Sequence, residues 1–100
     1  MAEVVPLTLT PQRALTLIRT LSADSGNVVV VAHGRRRQRQ RSISFKQIVA
    51  CLRKGTIGEG PYRTATGAWR CNVLRHAAGE EITCVVEFDW PQRLLIVTVF

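Results

Sequence analysis

Between Trp69 and Phe100 apolar residues recur at every second position, and this alternation limits the fold more than any other feature. Trp69, Cys71 and Val73 fall on one face of an extended segment, with Arg70, Asn72, Leu74 and His76 on the other. Ala78-Gly79-Glu80 turns the chain. Ile82, Cys84, Val86 and Phe88 repeat the pattern, and Asp89-Trp90-Pro91-Gln92 turns it again. Leu94 to Phe100 is almost wholly apolar, which places it inside a sheet. Tyr62-Arg63-Thr64 reads as a short edge strand before these three. A sheet with one apolar face must bury it against another layer.

The first half of the chain supplies that layer. Thr10 is an N-cap with Pro11 in the first helical position, and Ala14, Leu17, Ile18 and Leu21 follow at helical spacing. Ser25-Gly26-Asn27 ends this helix, and the β-branched run Val28 to Ala32 reads as a short buried strand. His33 to Arg41 has no breaker after Gly34 and predicts a short helix. Ser44 and Gln47 fit a capping box, with Phe45, Ile48, Val49 and Leu52 as the buried stripe and Lys54-Gly55 as the end. The expected fold is α+β: a curved antiparallel sheet of three to five strands with helices packed on one face. With 100 residues, 46% of them apolar, the chain is a single domain over 1–100. A dinucleotide fold or an eight-stranded α/β barrel does not fit that length.

Charge narrows the function. Lys and Arg number 14 against 7 Asp and Glu, giving a net charge of +7, and Arg supplies 12 of the 14. Eight cations and no acid lie between His33 and Lys54. Such a face suits RNA first, then an acidic protein, and otherwise only solvent. Cys51, Cys71 and Cys84 are scattered and odd in number, which points to buried thiols in a reducing compartment. Glu59, Glu80, Glu81, Glu87 and Asp89 form no metal-ligand pattern, and there is no phosphate-binding loop, so neither metal nor cofactor is expected. No apolar run approaches the ~20 residues that span a bilayer. Met1 to Pro6 lacks the basic start of a secretory signal, so the expected location is cytoplasmic, away from membranes.

His33, Arg37 and Arg41 are spaced by four and share a helix face. Guanidinium neighbours keep an imidazole unprotonated, so His33 could take the 2′-OH proton of RNA while Arg37 and Arg41 stabilise charge on the phosphorane. His76, Tyr62 or Arg70 is then the candidate acid, and Thr98 a candidate phosphate ligand. Arg35, Arg36, Arg39, Lys46 and Arg70 are candidate nucleic-acid contacts. Each has a plainer role. His33 can hydrogen-bond backbone at a strand-to-helix junction, His76 can be solvated beside a turn, and Thr98 is a good strand former. Trp69 and Trp90 lie outside the basic run and read as packing residues.

The run His33-Gly34-Arg35-Arg36-Arg37-Gln38-Arg39-Gln40-Arg41-Ser42-Ile43-Ser44 resembles the H-A-x-x-R-M-x-x-R-G-I-S signature of a bacterial domain family of unknown function. That family is similar to the RelE- and BrnT-type ribonuclease toxins. The likeness continues through Gln47-Ile48, Leu52 to Gly55, Gly67-Ala68-Trp69-Arg70 and Ile96-Val97-Thr98-Val99. It keeps His33, Arg37, Arg41, Ile43 and Ser44, and departs at Gly34 for Ala, Gln38 for Met and Ser42 for Gly. The resemblance implies a RelE-like core over 28–100, with 1–27 as an N-terminal helical extension. It also implies a cleft holding His33, Arg37 and Arg41, and an acidic antitoxin as a partner. Without the apolar residue at Gln38, the basic helix is expected to dock differently.

Overall fold

The computed structural model describes residues 8–89 and 92–100. Met1 to Pro6, read as lacking a secretory start, and Trp90, read as a packing residue, lie outside them. The elements are α1 (Pro11–Ser22), a 3-10 turn (Ser25–Asn27), β1 (Val28–Val30), α2 (Ala32–Gln40), α3 (Phe45–Lys54), β2 (Thr56–Arg63), β3 (Trp69–Ala77), β4 (Glu80–Asp89) and β5 (Arg93–Val99). The fold is α+β, with three helices and an open five-stranded sheet ordered β1-β5-β4-β3-β2.

Helix starts follow the local chemistry. Thr10 Oγ1 accepts the Arg13 N–H at 3.2 Å. The box at α3 is complete: Ser44 Oγ accepts from the Gln47 N–H at 3.1 Å, and Gln47 Oε1 from the Ser44 N–H at 2.8 Å. Two orphan donors of the first turn are thereby satisfied. The end of α1 is held by a distant side chain. Arg53 donates from Nε to Ser22 O at 2.8 Å and from Nη2 to Ala23 O at 3.0 Å. Arg19 Nη2 returns the link by donating to Gly55 O at 2.6 Å.

The sheet is mixed rather than wholly antiparallel. β2–β3, β3–β4 and β4–β5 are antiparallel, but β1 pairs parallel with β5, from Val28↔Leu94 to Val30↔Ile96. A parallel pair needs a long crossover, and everything between the two strands supplies it. Nothing local to Val28–Val30 encodes that direction. β5 is paired on both sides, as its apolar run implied. β2 begins at Thr56, well before Tyr62, and its register shifts twice against β3. Gly58, Gly60 and Pro61 interrupt its alternation, so only its last residues read as a strand.

The register sorts the sheet's faces. Val28, Val30, Leu94, Ile96, Val86, Cys84, Cys71 and Val73 form one buried layer, and Ala14 and Ile18 of α1 with Ile48, Cys51 and Leu52 of α3 pack on it. α1 therefore belongs to the core, although it precedes the residues that carry the signature. All three thiols are buried and free. Cys51 Sγ donates to Val73 O at 3.5 Å. Burial pushes the Cys71 thiol up to about 12. The Cys84 thiol is also raised, by its hydrogen bond with Cys51 and then by burial. Among the described residues no helix is long and apolar enough to cross a membrane.

Candidate nucleic-acid interface

α2 is anchored at its start by backbone. The Val31 N–H donates to Ile96 O at 3.2 Å, extending the β1–β5 ladder, and the Arg35 N–H closes the first turn on Val31 O at 2.8 Å. Val31 offers no side-chain cap. Gly34 is the buried contact of the helix. A Cβ there would lie 2.5 Å from Ile96 O and 3.0 Å from Val30 Cγ1, so the helix sits on β5 because residue 34 has no side chain. The helix ends in a left-handed residue, Ser42 at φ 53°, with the Ile43 N–H donating to Gln38 O at 2.9 Å.

A rotation of about 100° per residue then divides the cations. With Gly34 inward, His33 and Arg37 lie along one flank, Arg35 and Arg39 along the other, and Arg36 points outward, while Arg41 follows the last residue of the helix and shares a small depression with Glu80 and Glu81. Arg37 is half-buried and donates to Gln40 Oε1 at 3.4 Å, while His33, Arg35, Arg36, Arg39 and Arg41 are exposed. The ion pairs among the described residues are Arg70–Glu87 at 2.7 Å, His76–Glu81 at 2.8 Å and Arg93–Asp89 at 2.6 Å. None involves α2. Glu59, Glu81, Glu87 and Asp89 all occupy the sheet face opposite α1 and α3, by their pairing with Asn72, His76, Arg70 and Arg93. No acid falls on α2 itself, although that depression brings Glu80 and Glu81 of β4 to Arg41.

The sheet candidates do not gather around α2. His76 is exposed at the β3–β4 hairpin and spends its Nε2 on Glu81, its cross-strand neighbour. Arg70 is tied to Glu87, with its buried Nε unpartnered. Tyr62 stands on β2, at the sheet edge opposite β1, four strand spacings or roughly 19 Å away. Thr98 is the exception. It lies on β5 two residues beyond Ile96, the residue on which α2 sits, and opposite Val85. Two strands and four residues separate it from His76, about 17 Å. Lys46 is exposed on the first turn of α3, in a separate depression shared with Arg75 and Glu80. Trp69 packs against the core, with the Arg63 guanidinium 4.8 Å above its ring.

Sequence reasoning missed a cleft of about 850 Å³ between β1, α2 and the start of α3. The β1 edge, Arg35, Gln38, Arg39 and Phe45 line it. Phe45, expected in the buried stripe, is 40% exposed. It occupies the first turn of α3, and its ring meets the cleft rather than the core. Gln38 is half-buried on the same wall. Among the described residues no group of three or more His, Cys, Asp or Glu is placed to hold a metal ion.

No curated protein and no solved structure matches the chain. Residues 30–100, from the last residue of β1 through β5, match the family model described as Domain of unknown function (DUF4258), and the chain belongs to that family.

Proposed function

We propose that this protein binds RNA through α2. One observation carries the reading. Six cations between Arg35 and Lys46 form no ion pair among the described residues, and no acid interrupts that stretch of the sequence. Guanidinium groups in such an arrangement favour bidentate phosphate contacts. Binding should weaken with salt, with log K falling by about 0.7 per log unit of salt for each phosphate contacted on a single strand. Fluorescence anisotropy on labelled RNA across a salt series tests this. A slope between roughly −2 and −4 is expected for three to five contacts. Absence of binding at low salt overturns the reading.

A second reading adds cleavage, because His33 shares its flank of α2 with Arg37, and Arg41 follows one turn further along. Here His33 takes the 2′-OH proton, and that oxygen attacks the adjacent phosphorus. The bond to the 5′-oxygen breaks, leaving a 2′,3′-cyclic phosphate. Arg37 and Arg41 offset the charge on the phosphorane, and the Thr98 hydroxyl, on the strand that α2 sits against, is the candidate ligand for a phosphate oxygen. His76 is held by Glu81 and Tyr62 stands at the far edge of the sheet, so the leaving oxygen takes its proton from water. Turnover should be slow, resistant to chelator and lost in His33→Ala. In this reading the protein is a RelE-like toxin with an acidic antitoxin as partner. Equal turnover by wild type and His33→Ala removes the catalytic role and leaves the binding role intact.

A further inference from the structure

Resting on the reading of α2 as an RNA-binding helix, we propose that the cleft between β1, α2 and α3 seats an unpaired nucleic-acid segment, with a base stacked on Phe45 and the phosphates held by Arg35 and Arg39. Three observations converge there. The cleft is open and, at about 850 Å³, large enough for a short run of nucleotides. Arg35 and Arg39 wall one side of it, and neither forms an ion pair among the described residues. Phe45, a large side chain the core does not claim, is 40% exposed on its rim. An aromatic ring beside cations is the pairing that holds single strands, since every base has a π-face. A duplex cannot use Phe45, because its bases are already stacked on one another.

Other occupants suit the cleft less well. β1 is an unpaired sheet edge, the usual place for strand addition by a peptide. It is only three residues long, and the Val28 N–H already donates to Ser25 O, so it offers few main-chain bonds. A second copy of the chain would bring the arginines of two α2 helices together at a net charge of +7 each.

The test is anisotropy on labelled, unstructured oligonucleotides of about ten nucleotides. The probes are single-stranded RNA, single-stranded DNA of the same sequence, the RNA annealed to its complement, and a polyglutamate peptide. Phe45→Leu keeps an apolar residue at the site and removes the ring. It should lose about tenfold in affinity for both single strands and change duplex binding little, and Phe45→Trp should restore affinity with quenching of its fluorescence. Arg35→Ala with Arg39→Ala should weaken every nucleic-acid probe. If single-strand binding survives these changes but fails in Arg37→Ala with Arg41→Ala, the other flank is the seat; the cleft proposal is then overturned while RNA binding stands. Equal losses on duplex and single strand also overturn it. If wild type binds polyglutamate and no nucleic acid, both the cleft proposal and the RNA-binding reading fail.

Discussion

Replacing Gly34 by alanine tests how α2 is held on the sheet, and the sign of the effect is the point. In an unobstructed helix, Gly→Ala stabilises by roughly 0.5–1 kcal/mol. Here the new Cβ would lie 2.5 Å from Ile96 O, 3.4 Å from its carbonyl carbon and 3.0 Å from Val30 Cγ1. Ile96 belongs to β5, which is paired on both sides, so the carbonyl has nowhere to retreat. The helix must lift, and the Val31 N–H bond to the same oxygen stretches from 3.2 Å. Overpacking costs about 1–3 kcal/mol and a weakened hydrogen bond up to about 1 kcal/mol. After the propensity gain, the net should be a loss of about 1–2 kcal/mol. Urea denaturation followed by far-UV circular dichroism reads it directly, with a melting temperature lower by about 5–10 °C as a check. An alanine variant as stable as wild type, or more so, refutes this packing of α2 on β5.

The opposite sign is expected at two turns. Ser42 and Ala78 both hold φ at 53°, so Ser42→Gly and Ala78→Gly should each stabilise by about 0.5–1 kcal/mol in the same urea assay. Ser44→Ala removes one half of the capping box and should cost about 1 kcal/mol. Alkaline pH should destabilise the fold through Cys71. Its thiol is near 12 when buried and ordinary when unfolded, so the stabilisation is complete below about pH 8.5 and is lost as pH rises towards 12. The slope due to Cys71 is about 1.4 kcal/mol per pH unit, and Cys71→Ala should flatten the pH series by that amount. Because all three thiols are buried, they should resist alkylation at pH 8 until the chain is unfolded.

Local chemistry was legible and pairing was not. Thr10, Pro11, Ser44 and Gln47 mark two helix starts by side-chain hydrogen bonds that reach no more than three residues, so the sequence alone reveals them. The alternation in β3 and β4 announces which face is buried. The direction of β1 depends on a strand more than sixty residues away, and its three valines carry no trace of it. The same limit applied to the site. Arg70 and His76 looked available because the pairing register is not written in the sequence, yet the β3–β4 hairpin sets Arg70 beside Glu87 and His76 beside Glu81. Phe45 followed a helical stripe in the sequence, but the path of the chain from α2 into α3 turned it to the cleft.

That distribution also explains why the net charge overstates the surface open to a partner, and where the remainder lies. Arg19 and Arg53 donate to carbonyls that join α1 to α3. Arg63 covers Trp69, and Arg70 and Arg93 pair with acids. Their charges are committed to the fold, and a polyanion would have to break existing interactions to use them. Among the described residues the five arginines of the α2 region form no ion pair, and Gly34 brings their helix onto β5 without a side chain between. A fixed backbone carrying unpaired guanidinium groups loses little further order when phosphates arrive, apart from the side chains themselves. Salt dependence should therefore track substitutions in α2. Removing Arg35 and Arg39 should lower the slope by about 1.4, at about 0.7 for each phosphate no longer held. Replacing Arg63 or Arg93 should leave it unchanged. A slope that falls equally for both groups would mean that the whole surface, and not this helix, attracts the ligand.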